Sequence, residues 1–424
     1  MSITTPLLLL LAIIRTPLFA IIAAGAMLGF YAEEIDLSVI AIEIYRLAEM
    51  PVLLAIPLFT FAGYLLGESK ASIRLVNLTN SLLGWMPGGL AIVAIVACAL
   101  FTAFTGASGV TIVALGALLY PALKEAGYRE NFNLGLITSS GSLGLLFAPS
   151  LPLILYAVVA QQISLDQPLG IDQLFLAGIF PGLLMLFMLS IWSMAQPRNT
   201  QARSQFNFPD AWRAIKAAAW EIPLPIFVLG GIYGGFFAVS EAAAVTALYV
   251  LIIEVFVLRE IPIKKLPTIV RESMMLVGGI MIILGVSLAS TNYLIDTEVP
   301  TRLFEFIQQH IDDKLTFLIL LNIFLLLLGM MLDIFSALVI IVPIILPVAM
   351  GYGIHPVHLG IIFLANMQLG YFTPPVGMNL FIASYRFNKP VMTLYKATIP
   401  FFFILLIAVL IITYWPALSL ALIQ

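Results

Sequence analysis

Hydrophobic positions along this chain fall in long runs, not in alternation. Apolar stretches at 6–31, 52–67, 88–123, 132–161, 174–194, 222–237, 242–258, 273–295, 315–350, 358–386 and 399–422 are separated by short polar segments. A run near 20 residues with almost no charge reads as a transmembrane helix, because about 20 residues at 1.5 Å each cross a hydrocarbon layer of roughly 30 Å. Two intervening stretches differ. Residues 36–49 mix Val39, Ile42 and Ile44 with Glu43, Arg46 and Glu49, and residues 69–86 set Lys70 and Arg74 against Ile73, Leu75, Leu82 and Trp85. Both predict amphipathic helices at the membrane interface, and residues 298–313 repeat the pattern with an acidic bias. The first run carries an Arg15-Thr16-Pro17 interruption, so its start is left open. The stretch with Arg198, Arg203, Arg213 and Lys216 reads as a basic loop, as does the one with Lys264, Lys265 and Arg271.

Four runs are broken at what would be membrane depth. The run 88–123 is interrupted by Thr105-Gly106-Ala107-Ser108-Gly109, and the run 315–350 turns at Gly329-Met330-Met331-Leu332-Asp333; each predicts a re-entrant hairpin of two half-helices. The run 132–161 contains Gly141 to Pro152, and the run 358–386 contains Gly370-Tyr371-Phe372-Thr373-Pro374-Pro375-Val376-Gly377-Met378-Asn379. Proline has no N–H and clashes with the preceding turn, so Pro149 and Pro374-Pro375 break their helices and free carbonyls. Irregular backbone is not tolerated facing lipid, so these breaks are expected to be buried or to line a wet cavity.

An offset of 226 places Pro121 on Pro347, Gly144 on Gly370 and Pro149 on Pro375, and the order of element types repeats with it. Charge sets the relation between the halves. Lys70, Arg74, Lys124 and Arg129 flank the first hairpin and put its open end at the cytoplasm, whereas Asp296, Glu298, Glu305, Asp312 and Asp313 beside the second face it outward. The first broken helix exits toward Asp166 and Asp172, the second toward Arg386, Lys389 and Lys396. The reading is an all-α polytopic membrane protein of two inverted repeats, each with a re-entrant hairpin and a broken helix, which is the layout of secondary transporters with a site between the breaks.

Composition agrees: 62% hydrophobic residues, 10% charged and a mean hydropathy of +1.10 describe a membrane protein, and the net charge of −3 adds little. A lone Cys98 excludes an internal disulfide. No Gly-x-Ser-x-Gly elbow, no His or Cys metal cluster and no phosphate-binding loop occurs, so a hydrolase, a zinc enzyme and direct ATP use are excluded, and no nucleic-acid partner is indicated. No cleavable signal peptide is expected, because Leu7 to Ile14 lacks a small-residue cleavage site. Glu254 is read as snorkelling to the interface.

Several segments resemble a known family. Ile56-Pro57-Leu58-Phe59, Gly106-Ala107-Ser108, Gly144 to Pro152, Gly231-Ile232-Tyr233-Gly234-Gly235, Glu241-Ala242-Ala243-Ala244 and Thr373-Pro374-Pro375-Val376-Gly377-Met378-Asn379-Leu380-Phe381 resemble, end to end, the large membrane subunit of tripartite ATP-independent periplasmic (TRAP) transporters. The resemblance implies a sodium-driven importer of carboxylates in the bacterial inner membrane, with a small four-helix membrane subunit and a soluble periplasmic binding protein as partners. It implies an elevator: scaffold at 1–87 and 197–313, transport domain at 88–196 and 314–424. It implies no cofactor, with Na⁺ as coupling ion. Family hairpin tips of the form Gly-Ser-Ile-Ser-Gly-Ser are replaced here by Thr102 to Ala107, so hydroxyl ligation falls to Thr105 and Ser108.

Carbonyls bared at each break beside a hairpin tip suggest two sodium sites. The first takes Thr105 or Ser108 with Gly144, Phe147 and Pro149, and the second takes Gly329, Gly370, Thr373 and Val376. A small organic anion is expected between the tips and Asn379, contacting Ser108, Gly109, Asp333 and Asn379. Asp333 is the one acidic residue at a tip and calls for compensation.

Overall fold

The computed structural model describes residues 4–14, 16–163, 169–196, 206–311 and 313–423. Arg15, Asp166, Arg198, Arg203 and Asp312, on which sequence expectations rest, lie outside them. The first apolar run forms two helices, α1 (Thr4–Ile13) and α2 (Leu18–Ala32), because Pro17 starts the second. The amphipathic α3 (Ser38–Ala48) follows, then a short 3₁₀ turn leading into α4 (Ala55–Glu68) and the second amphipathic helix α5 (Ala71–Leu83).

The first hairpin is α6 (Gly89–Thr105) and α7 (Ser108–Glu125), turning at Gly106 with φ +66°. That left-handed conformation is open to glycine at little cost. The first broken helix is α8 (Glu130–Ser140), a 3₁₀ turn over Leu143–Leu146 and α9 (Leu151–Ala160), bent by 45°. Then α10 (Ile171–Ala177) and α11 (Ile179–Met194) make one span with a joint at Gly178.

The expected basic loop contains a helix, α12 (Phe208–Ala217), packed on α5. Its Asp210, Arg213 and Lys216 lie among apolar Phe208, Ala211 and Trp212, an amphipathic pattern that charge alone concealed. Next come α13 (Pro223–Tyr233) and α14 (Val239–Leu251), the latter continuing as a π-helical turn over Ile252–Val257. The long α15 (Leu266–Asp296) starts before the expected 273, and α16 (Val299–Gln308) is the acidic amphipathic helix.

The second hairpin is α17 (Lys314–Met331) and α18 (Ile334–Gly351), so its turn narrows to Leu332 and Asp333. The second broken helix is α19 (Pro356–Gly370) and α20 (Met378–Phe387), and α21 (Val391–Tyr414) and α22 (Ala417–Leu420) end the described chain.

Among the described residues seven helices are long and apolar enough to cross a membrane, or eight with the bent pair counted as one span. Outward faces are apolar too: α17 exposes Leu315, Ile319, Ile323 and Leu327, one row at four-residue spacing. Such a stripe suits lipid. The centre is formed by α8, α9 and α19, whose residues are nearly all buried. Packing is crossed between the two halves of the chain. The second arm of the first hairpin, α7, packs on α20, and the second arm of the second hairpin, α18, packs on α9.

Candidate functional site

Glycines let the hairpins reach the breaks. A Cβ on Gly144 would lie 2.2 Å from the Ala99 carbonyl oxygen and 2.5 Å from the Ala103 nitrogen, and one on Gly370 would lie 2.5 Å from the Gly329 carbonyl carbon. Gly144 and Gly370, like Ala103 and Gly329, are 226 positions apart, so one close approach of hairpin backbone to broken helix occurs twice. The peptide bonds Ala148-Pro149 and Pro374-Pro375 are both cis. Ser142 donates to the carbonyl of Gln368, its own counterpart at the same offset, 3.3 Å away.

At the first break, Thr102 donates to the Gly141 carbonyl at 2.8 Å and its hydroxyl lies 2.6 Å from that of Thr111. Thr105 is buried at the tip, and the Gly144 carbonyl accepts from Phe147 N at 3.0 Å. The Ser150 hydroxyl, fully buried beside Pro149, has no hydrogen-bond partner among the described residues.

At the second break the carbonyls that proline leaves behind are partly taken up again. Gly370 O accepts from Thr373 N at 3.0 Å, Tyr371 O accepts from Asn379 N at 2.9 Å, and the Thr373 hydroxyl donates to Leu369 O at 2.7 Å. A carbonyl oxygen has two lone pairs, so one accepted bond leaves capacity for a cation. Val376 is 44% exposed, the most open member of its set.

Both tips meet at the second break. Ser108 donates to Asn379 Oδ1 at 2.7 Å, Asn379 Nδ2 donates to the Thr138 carbonyl at 3.2 Å, and Ile334 N donates to the Tyr371 hydroxyl at 2.7 Å. Gly377 N reaches Met330 O at 3.1 Å. The fully buried Asn379 thus lies between the first tip at Ser108 and, through Tyr371, the second at Ile334. Gly109 stands beside Ile382 of α20. Asp333 is directed into its own helix: Oδ1 accepts from Phe335 N and Ser336 N at 3.0 Å each, and Oδ2 from the Ser336 hydroxyl. It caps α18.

Sequence reading missed a buried polar chain behind the second break. Asn366 Nδ2 donates to Asn322 Oδ1 at 2.7 Å, which also accepts from Thr413 at 3.1 Å, and His358 lies between Ser419 and the Thr413 carbonyl. The signal was present, since amides inside apolar runs are costly unless paired. Glu254 does not snorkel. It is 1% exposed, and Arg74 reaches it at 3.2 Å while also bonding Glu221 and Glu260.

Among the described residues no group of three or more His, Cys, Asp or Glu could hold a metal ion; the oxygens at the breaks are carbonyls and hydroxyls. The site can bind by positioned neutral oxygens and N–H groups.

The family model described as "Tripartite ATP-independent periplasmic transporter, DctM component" matches residues 5–418. The C4-dicarboxylate TRAP transporter large permease protein DctM of Pseudomonas aeruginosa is 34% identical over 385 residues, 90% of this chain and 88% of that protein. The isethionate TRAP transporter permease protein DctMQ of Oleidesulfovibrio alaskensis is 35% identical over 404 residues, 94% of this chain and 61% of that longer protein. The ectoine permease TeaC of Halomonas elongata is 28% identical over 97% of this chain and 96% of that protein. The crystal structure of the Alcanivorax borkumensis YdaH transporter aligns with a TM-score of 0.64 over 89% of this chain and 87% of that one, at 15% identity, a likeness of fold alone. Matched nearly end to end by that family model and by relatives above 30% identity, the chain belongs to the DctM family, the large permease component of tripartite ATP-independent periplasmic transporters, and is a transport protein, not an enzyme.

Proposed function

We propose that this chain imports a small organic anion, a C4-dicarboxylate in the first instance, across the bacterial inner membrane in symport with Na⁺. It receives the anion from a periplasmic binding protein and works beside a small membrane subunit. The observation that carries the reading is the meeting of two hairpin tips at one broken helix, Ser108 on Asn379 and Ile334 on Tyr371. Dicarboxylate is named first because relatives at 34% and 33% identity carry that word in their names.

Hard, neutral oxygens suit Na⁺ better than a transition metal. One sodium site takes Thr105, Ser108, Gly144, Phe147 and Pro149, and the other takes Gly329, Gly370, Thr373 and Val376. The anion lies between the tips, on Ser108, Gly109 and Asn379, where the N-terminus of α7 presents a positive dipole end. Asp333 stays at the rim as a cap whose charge the bound sodium offsets. The equivalent contacts at an offset of 226 support two repeats, whose inversion rests on the charge pattern, and the grouping of hairpins with broken helices supports an elevator in which that body moves against α4 and α15.

The test is uptake by proteoliposomes holding the chain, its small subunit and its binding protein, with labelled succinate, malate and fumarate. Uptake should saturate and should stop when K⁺ replaces Na⁺ outside. Non-saturating flux would make it a channel, and uptake indifferent to Na⁺ would remove both sodium sites.

A further inference from the structure

A cavity of about 420 Å³ opens directly beside Gly109. Its walls come from different parts of the molecule: Tyr64 and Glu68 of α4 and Glu272 of α15 on one side, Gly109 and Val113 of α7 and Ile382 of α20 on the other. That volume is within the range of roughly 300–1,000 Å³ typical of ligand cavities, so it has room for a small organic anion.

The end of the molecule to which it opens follows from charge and helix rise. Lys70 and Arg74 follow α4, and Lys264, Lys265 and Arg271 surround the start of α15, so this end is cytoplasmic. The first hairpin tip lies low on α4: a Cβ on Gly63 would meet Thr105 Cα at 2.6 Å, and one on Gly67 would meet Val110 at 3.1 Å. Gly63 is about 7.5 Å from the end of α4 at 1.5 Å per residue. Only a short path separates Gly109 from the cytoplasm.

The two walls differ in charge. Glu272 is exposed and, among the described residues, has no ion-pair partner, whereas Glu68 is paired with Lys265. Across the cavity Arg386 donates to the Val113 carbonyl at 3.0 Å, and no carboxylate among the described residues pairs with it.

We infer that this cavity is the vestibule through which the anion leaves, and that Glu272 is a release determinant whose fixed negative charge on the α15 wall shortens the dwell of an anion beside Gly109. The inference rests on the transport reading above and extends it to a residue outside the binding set. A carboxylate at the mouth acts by repulsion, which lowers the local concentration of anions and raises that of cations.

The test uses Val113→Cys in the assembled transporter, in sealed vesicles of both orientations, treated with an anionic sulfonatoethyl and a cationic trimethylammonioethyl thiosulfonate. The anionic reagent is itself a small organic anion. Wild type is the blank, because its single cysteine, Cys98, is buried. Val113→Cys should react in inside-out vesicles and not in right-side-out ones. Adding Glu272→Gln should raise the anionic-to-cationic rate ratio about threefold, and Glu272→Lys should raise it further, with both effects shrinking in high salt. Reaction from the outer face, or a ratio that ignores residue 272, overturns the inference. Labelling needs no transport: a shifted ratio with no uptake in the complete system leaves a wet cytoplasmic cleft and removes the import reading instead.

Discussion

Gly370 shows how much of the site depends on a missing side chain. Its Cα lies against Gly329, and a methyl there would stand 2.5 Å from a backbone carbon that has no rotamer to yield. Either the hairpin retreats or the helix end shifts, and overpacking of this kind costs about 1–3 kcal/mol. Gly370→Ala should therefore lower thermal stability by several degrees and reduce Na⁺-dependent uptake at least about tenfold. Gly230→Ala, with nothing within 4 Å of its Cβ, should leave both at wild-type values in the same assays. Equal behaviour of the two variants would show that the Gly329–Gly370 approach has no role. At this scale the sequence is legible where a residue breaks its own local rule. Gly370, Thr373 and Asn379 are small or polar beside Pro374-Pro375 in an apolar run, and the structure brings their segment to both tips. Ser150 was not legible, since what marks its hydroxyl is the absence of a partner in three dimensions.

Whole elements are read best when their signal is local. Helices stop at the interruptions at 105–109, 141–152, 329–333 and 370–379, as expected, since loss of helical hydrogen bonds is settled within a few residues; the arms of the second hairpin, 18 residues each, are nevertheless long and apolar enough to cross a membrane, which the expected half-helices were not. The helix α12 was hidden because ten residues carrying Pro209, Arg213 and Lys216 look like a loop until α5 supplies the surface that its apolar face covers. Glu254 was misread for the same reason, its partner Arg74 lying 180 positions away. That cluster joins α5, the segment before α13 and the π turn after α14 through one guanidinium and three carboxylates. Removing the guanidinium strands buried carboxylates, and breaking a buried ion pair in this way costs about 3–5 kcal/mol. Arg74→Met should lower the unfolding temperature of the purified protein markedly at pH 8. Adding Glu254→Gln to Arg74→Met should recover part of the loss, because one fewer charge is left stranded. If the double variant is less stable than Arg74→Met alone, the carboxylates do not repel and the cluster is held by Arg74 in some other way.

At the scale of the molecule, the described chain is almost entirely membrane helices and short connections, with no extramembrane domain to capture a ligand. The segments that the charge pattern assigns to the outer side are small: α3 with Glu33, Glu34, Asp36 and Glu49 near it, and α16 with Glu298, Glu305 and Asp313. An acidic face of this size can steer and orient a docking protein, an effect on encounter rate and register more than on affinity. Apolar surface leaves room for a second partner: α13 exposes Ile226 and Phe227, and Phe236 just after it is 79% exposed, a patch that lipid or a neighbouring membrane helix would cover equally well. One relative carries both permease parts in its name as DctMQ, and this chain spans 61% of it. The chain alone, reconstituted with an inward Na⁺ gradient, should take up no labelled dicarboxylate. Adding the small subunit should change little by itself, because the ligand still arrives without a carrier, and adding the loaded binding protein as well should start uptake. A set of charge reversals at Glu298, Glu305 and Asp313 should then slow uptake at limiting binding protein, with recovery at saturating concentration, the signature of a steering charge. Vigorous Na⁺-driven uptake by the lone chain would mean that it captures the anion itself, and the acidic outer face would then reflect only the exclusion of Lys and Arg from outward loops.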